Sequence, residues 1–277
     1  MENRNQLNMP GPHKPPTFFL LTDFGLQDPY VGQMKAVLWS LCPQATILDL
    51  SHGVQAHNAV QAGFFLASSW PYLPEGSIGL AVVDPGVGTS RPLLLFEQNK
   101  KSVLTPDNGL IGLLLTSQTD CRVWRINSPA PKNEVSATFH GRDVFAPLAC
   151  RLAEGVEAAE LGTEITPADC RSTHWSLAVL HGNQVQATVM HVDGFGNCIL
   201  NLDCRTWGRR FPAGSSFALL HPRRESVYAV STYARIPEDS VGLLAGSQGY
   251  LELACNQRPC ARHLDLAIGD ACIIDLG

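Results

Sequence analysis

Short apolar runs alternating with longer stretches of helical spacing constrain this chain most. Residues 17–22 (Thr-Phe-Phe-Leu-Leu-Thr) and 77–83 are apolar almost without interruption, and 46–50 is a shorter run of the same kind. Strands apolar on both faces belong in a parallel sheet covered by helices on both sides. Between the first two runs Val31, Met34, Val37, Leu38 and Leu41 recur at the helical period, just after Pro29, a residue favoured in a first turn. Residues 56–70 read as a second helix. Further strands are expected over 91–97, 101–106 and 122–126, with a short helix over 110–116 and a longer one over 140–153.

The alternation stops near residue 160. From 184 onward, strand-like segments at 185–192, 217–220, 226–230, 249–254 and 271–274 are separated by Gly and Pro turns, the pattern of a small barrel or sandwich. Residues 161–175 read as the linker, and no internal repeat is present. The expected fold is α/β: an N-terminal, mostly parallel α/β/α sandwich domain over 15–165, then a smaller C-terminal all-β barrel domain over 178–277.

Composition narrows the partners. Hydrophobic residues make up 45% and charged ones 16%, which suits a compact protein rather than a disordered one. A formal charge of −5 without any Lys/Arg block argues against nucleic acid. The polar, Pro-rich start lacks the pattern of a signal peptide, and no run reaches the ~18–20 apolar residues of a membrane span. A cytoplasmic location without a membrane partner is expected. The nine cysteines have irregular spacing and no C-x-x-C, so reduced, mostly buried thiols are expected. The histidines lack the i, i+4 pair of a helical zinc site, and no metal site is expected.

Candidate chemistry gathers where strands end. Asp84 follows the 77–83 run and leads into Pro85-Gly86-Val87-Gly88-Thr89-Ser90-Arg91. Open α/β sheets put their chemistry at such strand ends, and the Pro and Gly residues let the backbone turn sharply and offer N–H groups to a ligand. About fifty residues later comes Phe139-His140-Gly141-Arg142-Asp143. Asp84, Arg91 and His140 together form an acid–guanidinium–imidazole set able to orient a water molecule. Arg142 and Asp143 fit a structural ion pair equally well. Asp23 ends the first strand, where a carboxylate can accept two hydrogen bonds from a ribose diol, while Asp28 suits a helix N-cap. Gly86-Val87-Gly88 is short of a dinucleotide fingerprint. Asp193-Gly194-Phe195-Gly196-Asn197 and Ser247-Gln248-Gly249-Tyr250 offer polar groups but also fit plain hairpin turns.

Taken in order, these pieces resemble the SAM hydroxide adenosyltransferase family, the S-adenosyl-L-methionine (SAM) hydrolases related to the SAM-dependent fluorinase and chlorinase. The matching stretches are Leu21-Thr22-Asp23-Phe24-Gly25 with Asp28, Asp84 to Gly88 with Arg91, Asp107-Asn108-Gly109, Phe139 to Asp143, Asp193 with Phe195-Gly196-Asn197, and Ser247 with Gly249-Tyr250-Leu251. They run from about residue 17 to the C-terminus. The resemblance implies hydrolysis of SAM to adenosine and L-methionine by in-line attack of an activated water or hydroxide on the ribose C5′, with SAM as substrate and no cofactor or metal. It also implies a homotrimer whose sites lie between the N-terminal domain of one subunit and the C-terminal domain of its neighbour.

Carried over by the same resemblance, Asp84, Arg91 and His140 are catalytic and Asp23 binds the ribose. Asp193 and Ser247 contact the methionine end, Asn197 faces the adenine, and Phe139 and Tyr233 are further substrate contacts. The halogenases carry another residue at the His140 position, so His140 favours water over halide. Two departures stand out: Gln248 replaces an Arg of the fluorinase, and the turn after Asp193 is one residue shorter. A SAM- or adenosine-binding module without turnover and a SAM-dependent halogenase are the alternatives.

Overall fold

The computed structural model describes residues 15–117, 120–127, 136–171 and 173–277. The first half runs β1 (Thr17–Thr22), α1 (Tyr30–Leu41), β2 (Thr46–Ser51), α2 (Ala59–Ser69), β3 (Ser77–Val82), β4 (Leu93–Gln98), β5 (Lys101–Pro106), α3 (Gly112–Ser117) and β6 (Cys121–Ile126). A π-helical turn at Gly141–Phe145 leads into α4 (Ala146–Ala153), α5 (Ala158–Leu161) and β7 (Gly162–Ile165). One sheet holds these strands in the order β2-β1-β3-β5-β4-β6-β7. The first four are parallel, and β4, β6 and β7 extend the sheet antiparallel.

Alternate side chains of β1 point to opposite faces. Phe18 and Leu20 meet Met34, Leu38 and Leu148 on one side, whereas Phe19 and Leu21 meet Leu66, Trp70 and Leu114 on the other. Helices therefore cover both faces, which is why β1 and β3 carry no polar alternation. Each such fully buried Leu or Phe contributes about 1.5–3 kcal/mol over leaving it exposed.

The second half contains β8 (Val179–His181), β9 (Gln184–Val192), β10 (Cys198–Asp203), α6 (Cys204–Trp207), β11 (Ser216–His221), β12 (Glu225–Ala229), β13 (Val241–Ala245), β14 (Tyr250–Cys255), α7 (Cys260–Leu264) and β15 (Ala271–Asp275). The order β10-β14-β13-β12-β11-β15-β9-β8 is closed by pairing of β10 with β9, so seven strands form a barrel and β8 lies outside it on β9. Val189, Leu200, Leu219, Leu243, Leu253 and Ile274 fill the interior. The halves meet where Phe64 of α2 stacks on His191 of β9, with ring centroids 5.7 Å apart, and Gln61 Nε2 donates to His191 Nδ1 at 3.0 Å.

Several expectations are corrected. Residues 162–165, read as the start of the linker, pair with β6 as the sheet's edge strand. The strand expected from residue 91 begins at Leu93 because Arg91 belongs to the preceding turn. The helix expected from residue 140 opens with the π-turn. β8, β10 and β13 were not legible. β10 hides a polar residue, Asn201, whose burial is compensated by a hydrogen bond from Thr188 N–H and one to Trp175 O, both 2.8 Å. Among the described residues no helix is long and apolar enough to cross a membrane.

Candidate active site

β3 delivers Asp84 to the carboxyl edge of the parallel strands. Arg91 Nε donates to Asp84 Oδ1 at 2.6 Å and Arg91 Nη2 to Asp84 Oδ2, a two-point pairing with side chains only 10% and 5% exposed. The Gly86 N–H, which the sequence offers to a ligand, instead bonds Asp84 Oδ1 at 3.1 Å. Asp84 is thereby engaged through both oxygens and acts as a holder of Arg91.

The same turn reaches across to the His140 segment. Gly88 has φ +77, and a Cβ there would sit 2.5 Å from the Ala137 carbonyl oxygen, so only glycine allows the two loops to approach this closely. Arg91 Nη2 then lies 3.3 Å from His140 Nδ1. A guanidinium has donors only, so Nδ1 accepts and the neutral ring carries its proton on Nε2. Burial lowers the His140 pKa, and the Arg91 charge lowers it further.

His140 is held by its own motif. Arg142 Nε and Nη2 donate to Asp143 at 2.6 and 2.9 Å, Arg142 Nη1 donates to Gln33 Oε1 of α1 at 3.0 Å, and Asp143 Oδ2 accepts the Ser136 N–H at 3.0 Å. The Arg142–Asp143 pair is thus structural, and Arg142 holds the Asp143 carboxyl below its usual range. Phe139 is 8% exposed and packs edge-on against Phe24 and Tyr30, at 5.8 and 5.2 Å. It buttresses the residue that follows it.

Asp23 leaves the neighbouring strand end, since Thr22 pairs with Val82. Its Oδ2 accepts the His57 N–H at 2.8 Å, and Oδ1 has no partner among the described residues. Asp28 is exposed; the N-cap position of α1 is Pro29, without any side-chain cap. Asp107-Asn108-Gly109 fastens the sheet edge instead: Asn108 Nδ2 donates to Val83 O at 2.7 Å, and Asp107 Oδ1 accepts Arg171 N–H at 2.8 Å.

The C-terminal candidates share a different cavity, of about 880 Å³, where α2 and the barrel meet. Asp193, Asn197, Ser247 and Tyr233 line it. The Asp193 carboxylate builds the β9–β10 turn: Oδ1 accepts from the N–H groups of Phe195 and Asn197 (2.9 and 2.8 Å), and Oδ2 from Asn197 Nδ2 (2.9 Å). Sequence reasoning missed Glu252, His191 and Arg258 on the same wall. Glu252 is 5% exposed and accepts a hydrogen bond from the Tyr233 hydroxyl. Burial raises its pKa, and burial with the Glu252 contact pushes Tyr233 up to about 12. A glutamate inside the apolar run Leu251-Glu252-Leu253 is the signal that marks it. Asp23, Asp84, Arg91, Phe139 and His140 do not line this cavity. Among the described residues no group of three or more His, Cys, Asp or Glu could hold a metal ion.

A covered parallel sheet with an acid–guanidinium–imidazole cluster at its strand ends, joined to a closed barrel that carries a second polar cavity, defines a two-domain α/β enzyme architecture. The chain matches the SAM hydroxide adenosyltransferase N-terminal domain over residues 18–162 and the C-terminal domain over 187–273, and it belongs to that family. It is 37% identical over 262 residues to a Thermus thermophilus protein named (R)-S-adenosyl-L-methionine hydrolase, covering 92% of this chain and 97% of the relative. A fluorinase from an Actinoplanes species is 23% identical, covering 92% and 95%. Among solved structures, an uncharacterized conserved protein from Thermotoga maritima superposes with a TM-score of 0.81 at 27% identity, over 94% of this chain and 99% of that one.

Proposed function

We propose that the chain hydrolyses SAM to adenosine and L-methionine. The observation that carries this reading is the Asp84–Arg91–His140 cluster, assembled beside Asp23 at the strand ends of a family member. The sulfonium makes methionine a good leaving group, so the difficulty lies in the nucleophile: water has a pKa of about 15.7. The oxygen attacks C5′ in line with the C5′–S bond. The C5′–O bond forms, sulfur keeps the electron pair of the bond that breaks, and the water proton passes to solvent.

Arg91 stays protonated and offers Nη1 to the developing negative charge. His140, with Nδ1 turned to Arg91, offers Nε2–H. It therefore holds a hydroxide-like oxygen by donation, which narrows the proton-accepting role open to it from sequence alone. Asp84 orients the pair. Asp23 takes the ribose diol, Asp193 and Ser247 the methionine end, Asn197 the adenine, with Phe139 and Tyr233 as further contacts.

The finer readings belong here too. No step calls for a metal or cofactor. Because the strand-end cluster and the barrel cavity are separate surfaces of one chain, a homotrimer in which a neighbour's barrel completes each site is the assembly proposed. Residues 15–165 and 178–277 are taken as the domains, and the location as cytoplasmic, without nucleic-acid or membrane partners. The relatives' name adds a preference for the R configuration at sulfur.

Incubation with SAM in oxygen-18 water tests the reaction. The label is expected in the adenosine 5′-hydroxyl and not in methionine, unchanged by a chelator. Intact SAM after hours would overturn turnover in favour of a binding module, and a 5′-halo-adenosine formed in chloride would favour a halogenase.

A further inference from the structure

His191 of β9 lines the barrel cavity where it meets α2, and the proposed reaction gives it no task. Its ring is fixed from three sides. Phe64 stacks on it with centroids 5.7 Å apart and planes 26° from parallel, and Phe65 meets it edge-on at 4.9 Å. The third contact joins Gln61 Nε2 to His191 Nδ1 at 3.0 Å.

The direction of that hydrogen bond is set one step further out. Gln61 Oε1 accepts the Gln55 N–H at 2.7 Å, so the amide oxygen is committed there and the amide nitrogen is left for His191. An amide nitrogen only donates. Nδ1 therefore accepts. Burial lowers the His191 pKa against the pull of Asp193, and the neutral ring carries its proton on Nε2. That Nε2–H has no acceptor among the described residues. A hydrogen-bond donor thus stands ready at the cavity wall, oriented by α2 and free of internal partners.

Its neighbours indicate what it takes. Val192 packs on the barrel core, and the residues on either side of it, His191 and Asp193, both line the cavity. One offers a proton donor and the other a carboxylate. An α-amino acid bears the matching pair, a carboxylate and an ammonium, on a single carbon. Glu252 adds a second acid to the wall, so a substrate carboxylate there needs a donor that no group of the chain already holds. Arg258 also lines the cavity, but its Nη2 is buried and its Nη1 faces Asp239 at 3.7 Å.

We propose that His191 is a specificity-determining residue that donates Nε2–H to the α-carboxylate of SAM while Asp193 takes the α-ammonium. The inference rests on the methionine-end role proposed for Asp193 and Ser247. It makes this part of the cavity a reader of the amino-acid group. Loss of the donor then weakens binding and leaves the breaking C5′–S bond untouched.

Decarboxylated SAM, which keeps the sulfonium and the amine but lacks the carboxylate, is the probe. In the parent chain its KM is expected to exceed that of SAM by about 10–100-fold, the worth of a hydrogen bond to a charged group. H191F keeps an aromatic ring between Phe64 and Phe65 without the donor. It should raise the KM for SAM by the same factor, hold kcat within a few-fold, and leave the KM for decarboxylated SAM unchanged. H191Q, whose amide can place an N–H near the Nε2 position, should recover part of the loss. Equal KM values for the two substrates in the parent, or an H191F that shifts both alike, would overturn the inference. The parent comparison needs no variant and holds even if H191F fails to fold. A chain that never hydrolyses SAM but binds it, by calorimetric titration, with this His191-dependent preference would overturn the proposed reaction and leave the carboxylate contact standing.

Discussion

At the sheet edge the charged groups of the Asp84 and His140 segments are bonded within the chain, Asp84 by Arg91 and Gly86, Asp143 by Arg142 and Ser136, Arg142 also by Gln33, while Asp23 keeps Oδ1 open. The barrel cavity is different. Asp193 Oδ2 accepts from Asn197 alone, Glu252 is buried against Tyr233 alone, and Phe195 and Tyr233 stay 82% and 48% exposed. The first region is arranged before any substrate arrives, which is what stabilising a transition state demands. The second leaves aromatic faces open, as a binding surface does before it is covered. Chemistry and affinity should therefore separate on mutation.

The largest effect should come from breaking the finished region. R91A is expected to lower kcat by on the order of 10²–10³-fold. It should also cost about 3–5 kcal/mol of stability, because Asp84 is left buried without its partner. Single-turnover rates and urea melts measure the two; a variant as stable as the parent would mean the cluster is not preorganised. In the cavity, D193A should weaken SAM binding by about 10–100-fold, the loss of bonds to a charged acceptor, with kcat changed only a few-fold. Calorimetric titration beside kcat decides this, and equal losses in both would erase the proposed division.

The smallest effect is on pH. Burial and Arg91 both disfavour the imidazolium of His140, so its pKa lies below 6.5 and the neutral, Nε2–H form persists as pH falls toward that value. The acid limb of kcat should then begin below pH 6.5 and vanish in H140N, while SAM affinity shows no step there. A limb above 6.5 would contradict the proposed tautomer and its Arg91 contact.

Much of this was legible locally. β1, α1 and β3 announce themselves because an apolar run or a helical period needs only neighbouring residues, and Asp84 is marked by the strand it ends. β10 was hidden because Asn201 interrupts its apolar pattern and is satisfied only by residues from β9 and the preceding segment. Glu252 and Arg258 escaped notice because their surroundings are assembled from β14, the Tyr233 segment and the turn before α7.

The sequence by itself determined two covered architectures and the residue types available for chemistry, since burial patterns and turn residues are properties of short segments. Only the tertiary structure decided what those residues can do. Gly88 lets Arg91 reach His140 across forty-nine positions, and that one contact assigns the ring proton to Nε2. Hydrogen-bond direction depends on which atoms meet, and no pattern along a chain encodes a meeting.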